Sequence, residues 1–461
     1  MSPHDHRHLT WATSNRFVPR VFVQPFKRFT QIEAASGIVL LVAAAVALVW
    51  ANSPLASSYF HLFEEWVVEI QLGPIHLEET FGHMVNDGLM AFFFFVVGLE
   101  IKRELVMGEF RDPRVAALPA VAALGGMIVP AAIYFALAGG TPGAESGWGI
   151  PMATDIAFAV GVLSLLGRRI PTSGKLFILA LAIADDIGAI LVIAIFYTSD
   201  LRFAWLLGAI AGLVVVAVAQ RVGIRSLAFY WPVAIVVWFA LLESGVHATL
   251  AGVALGLLTP ARPMYSAQEL DRKARQILDM YPMGNTIEDQ QHAEHEAMLL
   301  TEISRESASP LTRLEHKMLP WSSFFVIPLF ALANAGVSFA GTDVTELITH
   351  PVALGVGLGL LFGKPIGITL FTWLAVRLGI GKLPTGTRWA HIVGLGTVAG
   401  IGFTVALFVT ALAFSDPRLG DVAKVGIFAG SLIAAIAGTV VLLSVRAPVP
   451  ESEPEPVPVS T

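Results

Sequence analysis

Apolar residues run along this chain in blocks of the length a helix needs to cross a bilayer, about 17–25 residues. Twelve blocks stand out, at roughly residues 32–52, 84–105, 115–138, 148–167, 175–198, 203–220, 226–243, 246–260, 320–340, 351–376, 388–414 and 421–445. The seventh and eighth are parted only by a short link around Ser244 and Gly245. All twelve read as helices, because backbone polar groups in hydrocarbon must find partners within their own segment. The expectation is an all-α polytopic membrane protein.

The polar segments between the blocks give an orientation. Of the 29 Lys and Arg, three (Arg202, Arg418 and Lys424) fall in every second connection or at the block ends beside it, and Lys364 falls deep inside a block. All the others lie in the alternate set, which the positive-inside rule makes cytoplasmic, with both termini. Residues 1–30 read as a cytoplasmic tail, 31–445 as the membrane domain and 446–461 as a disordered Pro/Glu-rich tail. An external hairpin is expected at about 67–80, around Gly73-Pro74. Residues 263–319 form an unusually long cytoplasmic loop, in which residues 268–279 read as a surface helix. His292 and His295, and the histidines near residues 4–8, read as solvated polar residues rather than metal ligands.

Composition agrees: 55% of residues are apolar, 14% charged, and mean hydropathy is +0.71. Soluble domains carry about 25% charged residues. The chain has no cysteine, which excludes disulfides, thiol catalysis and cysteine-based metal centres. A net charge of −6 offers no field for nucleic acid.

Ionisable residues at membrane depth cost at least about 2.5–3.5 kcal/mol each to insert, so they mark function. Four stand out: Asp155 in the fourth block, Asp185 and Asp186 in the fifth, and Lys364 in the tenth. Asp87, at the start of the second block, is shallower. Three acids face one base, and an uncompensated buried charge is costly. The surplus must be met by protons or by a cation: crowding of carboxylates favours protonation, and a bound cation favours ionisation. Adjacent Asp185 and Asp186 diverge by about 100° on their helix, so one is free to face Asp155 and the other Lys364. With Thr154 beside Asp155 the ligands are all oxygen, which suits Na⁺ or Li⁺.

Glycine and proline interrupt two blocks near this depth, at Gly149-Ile150-Pro151 and at Gly400-Ile401-Gly402. Each is the middle member of a triplet, blocks 3–5 and 10–12, which enter the membrane from opposite sides. Interrupted helices in corresponding positions of inverted repeats point to a transporter site. In the tenth block Gly355, Gly359, Gly363 and Gly367 recur every four residues, a face that admits another helix close to Lys364.

Residues 153–159 (ATDIAFA), 184–190 (ADDIGAI) and 363–367 (GKPIG) resemble signatures of the NhaA family of Na⁺/H⁺ antiporters. So do residues 86–90 (NDGLM), 98–105 (GLEIKREL), 244–252 (SGVHATLAG), 333–337 (ANAGV) and 400–404 (GIGFT), in uninterrupted order over about residues 30–445. Inverted repeats are an established feature of that family. The resemblance implies twelve helices in a bacterial inner membrane, with both termini cytoplasmic. It implies electrogenic exchange of two external H⁺ for one internal Na⁺ or Li⁺, serving sodium and pH homeostasis, with no cofactor beyond the transported ions.

In this reading Na⁺ binds at Asp186 and Asp185, and Lys364 compensates charge. Asp155 and Thr154 lie where the two broken helices cross. Glu100, Arg103, Glu104, Glu315 and His247 take part in the pH response, and the external hairpin forms a homodimer contact. Two departures stand out: the 263–319 loop is longer than in the best-known members, and Thr312 and Leu319 replace basic or histidine positions at the pH-responsive end.

Rival readings are weaker. An intramembrane aspartyl protease needs Gly-x-Gly-Asp, which the chain lacks. A passive cation channel would show flux without proton coupling, and a cation-coupled symporter would require an organic solute.

Overall fold

The structure, a computed structural model, describes residues 33–72, 75–198, 200–224, 226–282, 284, 286–339 and 344–445. The two tails, with the histidines near residues 4–8, and the Gly73-Pro74 turn lie outside the described residues. Counting helices of eight residues or more, the chain begins with α1 (Glu33–Ala51), then a hairpin of β1 (Val67–Leu72) and β2 (Ile75–Thr80). There follow α2 (Met90–Met107), α3 (Pro113–Ala138), α4 (Ile156–Leu166), α5 (Thr172–Phe196), α6 (Phe203–Val222), α7 (Leu227–Glu243) and α8 (Thr249–Leu258). Next come α9 (Ala267–Met280), α10 (Ile287–Glu306), α11 (Pro310–Trp321) and α12 (Ile327–Asn334). The last five are α13 (Pro351–Leu358), α14 (Lys364–Arg377), α15 (Trp389–Val398), α16 (Phe403–Ala413) and α17 (Pro417–Ser444).

Among the described residues, seven helices are long and apolar enough to cross a membrane, or nine if each of two bent helix pairs is one span. One bent pair is α15 with α16, which meet at 51°. Helices α7 and α8 are shorter and apolar, and the link between them turns at Gly245, whose φ of 80° favours glycine. The strands pair antiparallel, with Leu72 opposite Ile75 and Val67 opposite Thr80, as the alternation around Gly73-Pro74 predicts.

The chain folds as two compact units. One holds the described residues within Met1–Gly82, Asp112–Ile195 and Pro328–Thr461; the other holds His83–Arg111 and Phe196–Ile327. In the first, the four-residue glycine repeat lies against α3. A Cβ on Gly355 would meet Tyr134, one on Gly359 would meet Pro151 and then Pro130, one on Gly363 would meet Pro130, and one on Gly367 would meet the backbone of Gly125. The small-residue face thus brings a helix to the level of Lys364, since Gly126 lies beside that side chain. Helix α12 ends at Asn334, and residues 335–339 continue without regular structure. Asn52 and Tyr59 hold this stretch through Val337 O, Phe339 N and Gly336 N at 2.7, 2.8 and 3.1 Å.

In the second unit, glycines again set the helix spacing: Gly98 of α2 abuts Val253 and Gly256 of α8, and Gly252 abuts Ala91. The stretch read as a long loop is mostly helical. The surface helix expected at 268–279 is α9, and α10 and α11 follow it. Each begins at a side-chain cap: Ser266 with Glu269, Thr286 with Asp289, and Ser309 with the Thr312 N–H.

Candidate functional site

The fourth block is interrupted at Thr154 and Asp155. A 3₁₀ stretch, Glu145–Met152, gives way to extended backbone at residues 153–155 before α4 begins. Pro151 fits the 3₁₀ stretch, and the true break falls two residues later. The partner break, residues 399–402 between α15 and α16, crosses this one. Asp155 N–H donates to Ile401 O at 2.6 Å, and Thr154 Oγ1 donates to Ala399 O at 2.8 Å. Gly400 is required here, because a Cβ would collide with Leu360 O and lie 3.0 Å from Thr397 O.

Asp155 serves two helix N-termini at once. Its Oδ1 caps α4 by accepting from Phe158 N–H at 3.0 Å. Its Oδ2 accepts from Thr404 N–H at 3.1 Å and Thr404 Oγ1 at 2.6 Å, at the first turn of α16. A carboxylate at 2% exposure is tolerable there because both positive helix ends point at it. Thr404 was not singled out from sequence for this role. Its signal is its position, two residues after Gly402 at the start of a half-helix.

Asp185, Asp186 and Lys364 are brought together in the same unit. Lys364 and Asp185 are 0% and 1% exposed, with Lys364 Nζ donating to Asp185 Oδ2 at 2.5 Å. Asp186 is buried at 7% and also acts on Lys364 electrostatically. Thr154 neighbours Asp185, whose Oδ1 has no hydrogen-bond partner. The carboxylate facing Lys364 is therefore Asp185, while both oxygens of Asp155 are engaged by helix N-termini. A π-helical turn, Gly359–Gly363, leads directly into Lys364; such turns recur at functional sites. Two carboxylates beside one ammonium leave this pocket of charge negative.

The residues expected to take part in a pH response divide. Arg103 on α2 pairs with Glu315 on α11, and also lies 3.6 Å from Glu104. Glu100, one turn earlier, interacts with Glu315, Arg103 and Glu104. Outside the spans, burial pushes the Glu315 carboxyl above its usual range while Arg103 pulls it back. His247 is not part of this group. It precedes α8 and bonds to Tyr197 O at 2.7 Å through Nε2, towards the end of the unit where the Asp87 carbonyl accepts from Trp238 Nε1 at 3.0 Å.

Known proteins add a comparison over nearly the whole chain. A family model described as Na⁺/H⁺ antiporter 1 matches residues 27–442. The Na(+)/H(+) antiporter NhaA of Oleidesulfovibrio alaskensis is 49% identical over 421 residues, covering 90% of this chain and 92% of that one. The NhaA of Koribacter versatilis is 45% identical over 446 residues, 96% of each. The NhaA 2 of Syntrophotalea carbinolica is 46% identical over 424 residues, 91% of this chain and 96% of its own.

Proposed function

The chain belongs to the Na⁺/H⁺ antiporter 1 family and exchanges Na⁺ for H⁺ across a membrane; from that premise, we propose that Asp185 and Asp186 are the shared site at which the two ions compete. One observation carries this: the buried Lys364–Asp185 contact at 2.5 Å with a second buried carboxylate beside it. Two carboxylates and one ammonium, all ionised, leave one uncompensated negative charge at depth; a bound Na⁺ neutralises it, and without Na⁺ both carboxylates take up protons. Na⁺ binding takes both carboxylates in their ionised form, so it expels the protons, and proton return expels Na⁺. Li⁺, equally hard, takes the same oxygens. Thr154 supports Asp185, and Asp155 holds the crossing of the broken helices by neutralising two helix N-termini.

Twelve spans suit this site better than nine. Beyond the nine, which already include the two bent pairs, three additional crossings come from α7, α8 and the stretch running through α12, with the triplets around α4 and α15–α16 as inverted repeats. Both termini then face the cytoplasm of a bacterial cell, and the site opens alternately to the two sides. The hairpin of β1 and β2 is the contact between copies in a homodimer. The group of Glu100, Arg103, Glu104 and Glu315 sets the pH response, with His247 and Asp87 acting at the other end of their unit.

Two H⁺ entering for each Na⁺ leaving carry one net charge inward, so membrane potential drives exchange by about 2.3 kcal/mol per 100 mV. In reconstituted vesicles, Na⁺ addition dequenches an internal pH dye and builds a potential across the membrane. The Asp186→Asn variant abolishes both signals while keeping its thermal unfolding transition. Wild-type exchange by Asp186→Asn removes that carboxylate from the site, and strictly electroneutral exchange by the wild type removes the two-carboxylate scheme.

A further inference from the structure

Five side-chain polar atoms among the described residues are buried without a hydrogen-bond partner, and four of them gather around α14: Asp185 Oδ1, Thr369 Oγ1, Thr372 Oγ1 and His391 Nε2. A threonine inside a helix ordinarily gives its hydroxyl to the carbonyl four residues back. Thr397 and Thr410 do so, each at 2.8 Å. Thr369 and Thr372 do not, though Thr372 is 0% exposed. His391, 2% exposed, accepts the Arg388 N–H at Nδ1 at 3.0 Å. A neutral imidazole accepting at Nδ1 carries its proton on Nε2, so Nε2 is a buried donor with no protein acceptor.

These atoms follow one seam. Gly396 of α15 rests against α14, where a Cβ would lie 3.2 Å from Pro365 and 3.4 Å from Ile368. The two helices are joined through residues 378–388 and run antiparallel. One turn outward along each from that contact reaches Thr372 on α14 and Ile392, next to His391, on α15. Lys364, Ile368 and Thr372 are spaced by four and share one buried stripe. Eight residues of helix carry that stripe about 12 Å from Lys364 towards His391. Buried polar groups without protein partners are ordinarily met by ordered water, which needs about two to four such partners.

We propose that the seam between α14 and α15 holds a file of bound water that carries protons from His391, past Thr372 and Thr369, to the Lys364–Asp185 pair. Each water gives one proton forward and receives one from behind, and the file's hydrogen bonds turn back before the next passage. The seam serves H⁺ and not Na⁺: it offers two hydroxyls and an N–H donor but no carboxylate of its own, a poor cage for a hard cation. His391 and the two threonines are positioning residues that hold water and do not touch Na⁺. This inference rests on the exchange site assigned to Asp185 and Asp186.

The absence of cysteine from the chain makes a single introduced one a clean reporter. In radiolytic hydroxyl labelling, Thr372→Cys is oxidised at least tenfold faster than Val356→Cys, an equally buried position on α13. Equal rates mean that the seam is dry and overturn the proposal. In vesicles, the double variant Thr372→Val with His391→Leu lowers Na⁺/H⁺ exchange at least fivefold and leaves isotopic Na⁺/Na⁺ exchange within twofold of wild type. Unchanged Na⁺/H⁺ exchange, or an equal fall in both, overturns it. Failure of the site reading is distinguishable, because it surfaces as activity in Asp186→Asn with the labelling of Thr372→Cys unaltered.

Discussion

Asp155 and Asp185 are the same residue type at the same burial, and their partners give them different work. Asp155 accepts three hydrogen bonds from two helix N-termini, which makes its charge part of the fold. Asp185 depends on a single ammonium. Removing one member of a buried pair leaves the other uncompensated, at a cost of about 3–5 kcal/mol unless it takes up a proton. Lys364→Ala therefore lowers the thermal midpoint in detergent, and adding Asp185→Asn recovers part of the loss by removing the stranded charge. No recovery in the double variant argues that Lys364 acts through packing alone.

Glu315 makes a second residue-scale prediction, on pH. Its folded carboxyl titrates above the ordinary 4.5 because burial outweighs the pull of Arg103. A raised folded value means that the native state holds a proton the unfolded chain has released. The resulting contribution to stability is complete below the ordinary value and is lost as pH rises through the folded one. The thermal midpoint of the wild type should fall over that interval more steeply than that of Glu315→Gln. Parallel curves for the two proteins would mean that Glu315 does not supply this dependence.

At the scale of elements, α3 and α14 meet backbone to backbone, with Gly125 against the Gly367 carbonyl and the Phe371 ring. Gly125→Val forces that contact apart and costs about 1–3 kcal/mol, read as a lower thermal midpoint; an unchanged midpoint would place the two helices further apart than described here. The four-residue glycine repeat on the tenth block was legible as a packing face, but its partner was not. Pairing with α3 joins residues more than two hundred positions apart, and no local pattern encodes it.

The broken helices were legible in the same partial way. Gly149-Ile150-Pro151 marked the right segment, yet proline sits comfortably in the 3₁₀ stretch and the chain opens at residues 153–155. The buried aspartates and Lys364 stood out because charge is costly at that depth. Thr404 did not, because a threonine among apolar residues carries no such cost until its carboxylate partner is known. In the 263–319 segment, sequence length suggested a loop and only α9 was anticipated. Its Ser266-to-Glu269 box has matching signals at Thr286 with Asp289 and at Ser309 before Pro310, which announce α10 and α11.

For the whole molecule, long apolar helices and a family match over residues 27–442 establish a membrane antiporter. Its central physical requirement is that the acidic site is never left bare. In the proposed scheme coupling needs no separate device, since occupancy by one ion is what removes the other.

The most direct test counts protons. Na⁺ is titrated into the purified protein calorimetrically near the pH of half-maximal exchange, in two buffers of different ionisation enthalpy. The difference in heat gives the number of protons released for each Na⁺ bound. Competition at Asp185 and Asp186 requires a release between about one and two protons, abolished in Asp186→Asn. Na⁺ binding with no proton release at any pH from 6 to 9 would contradict it.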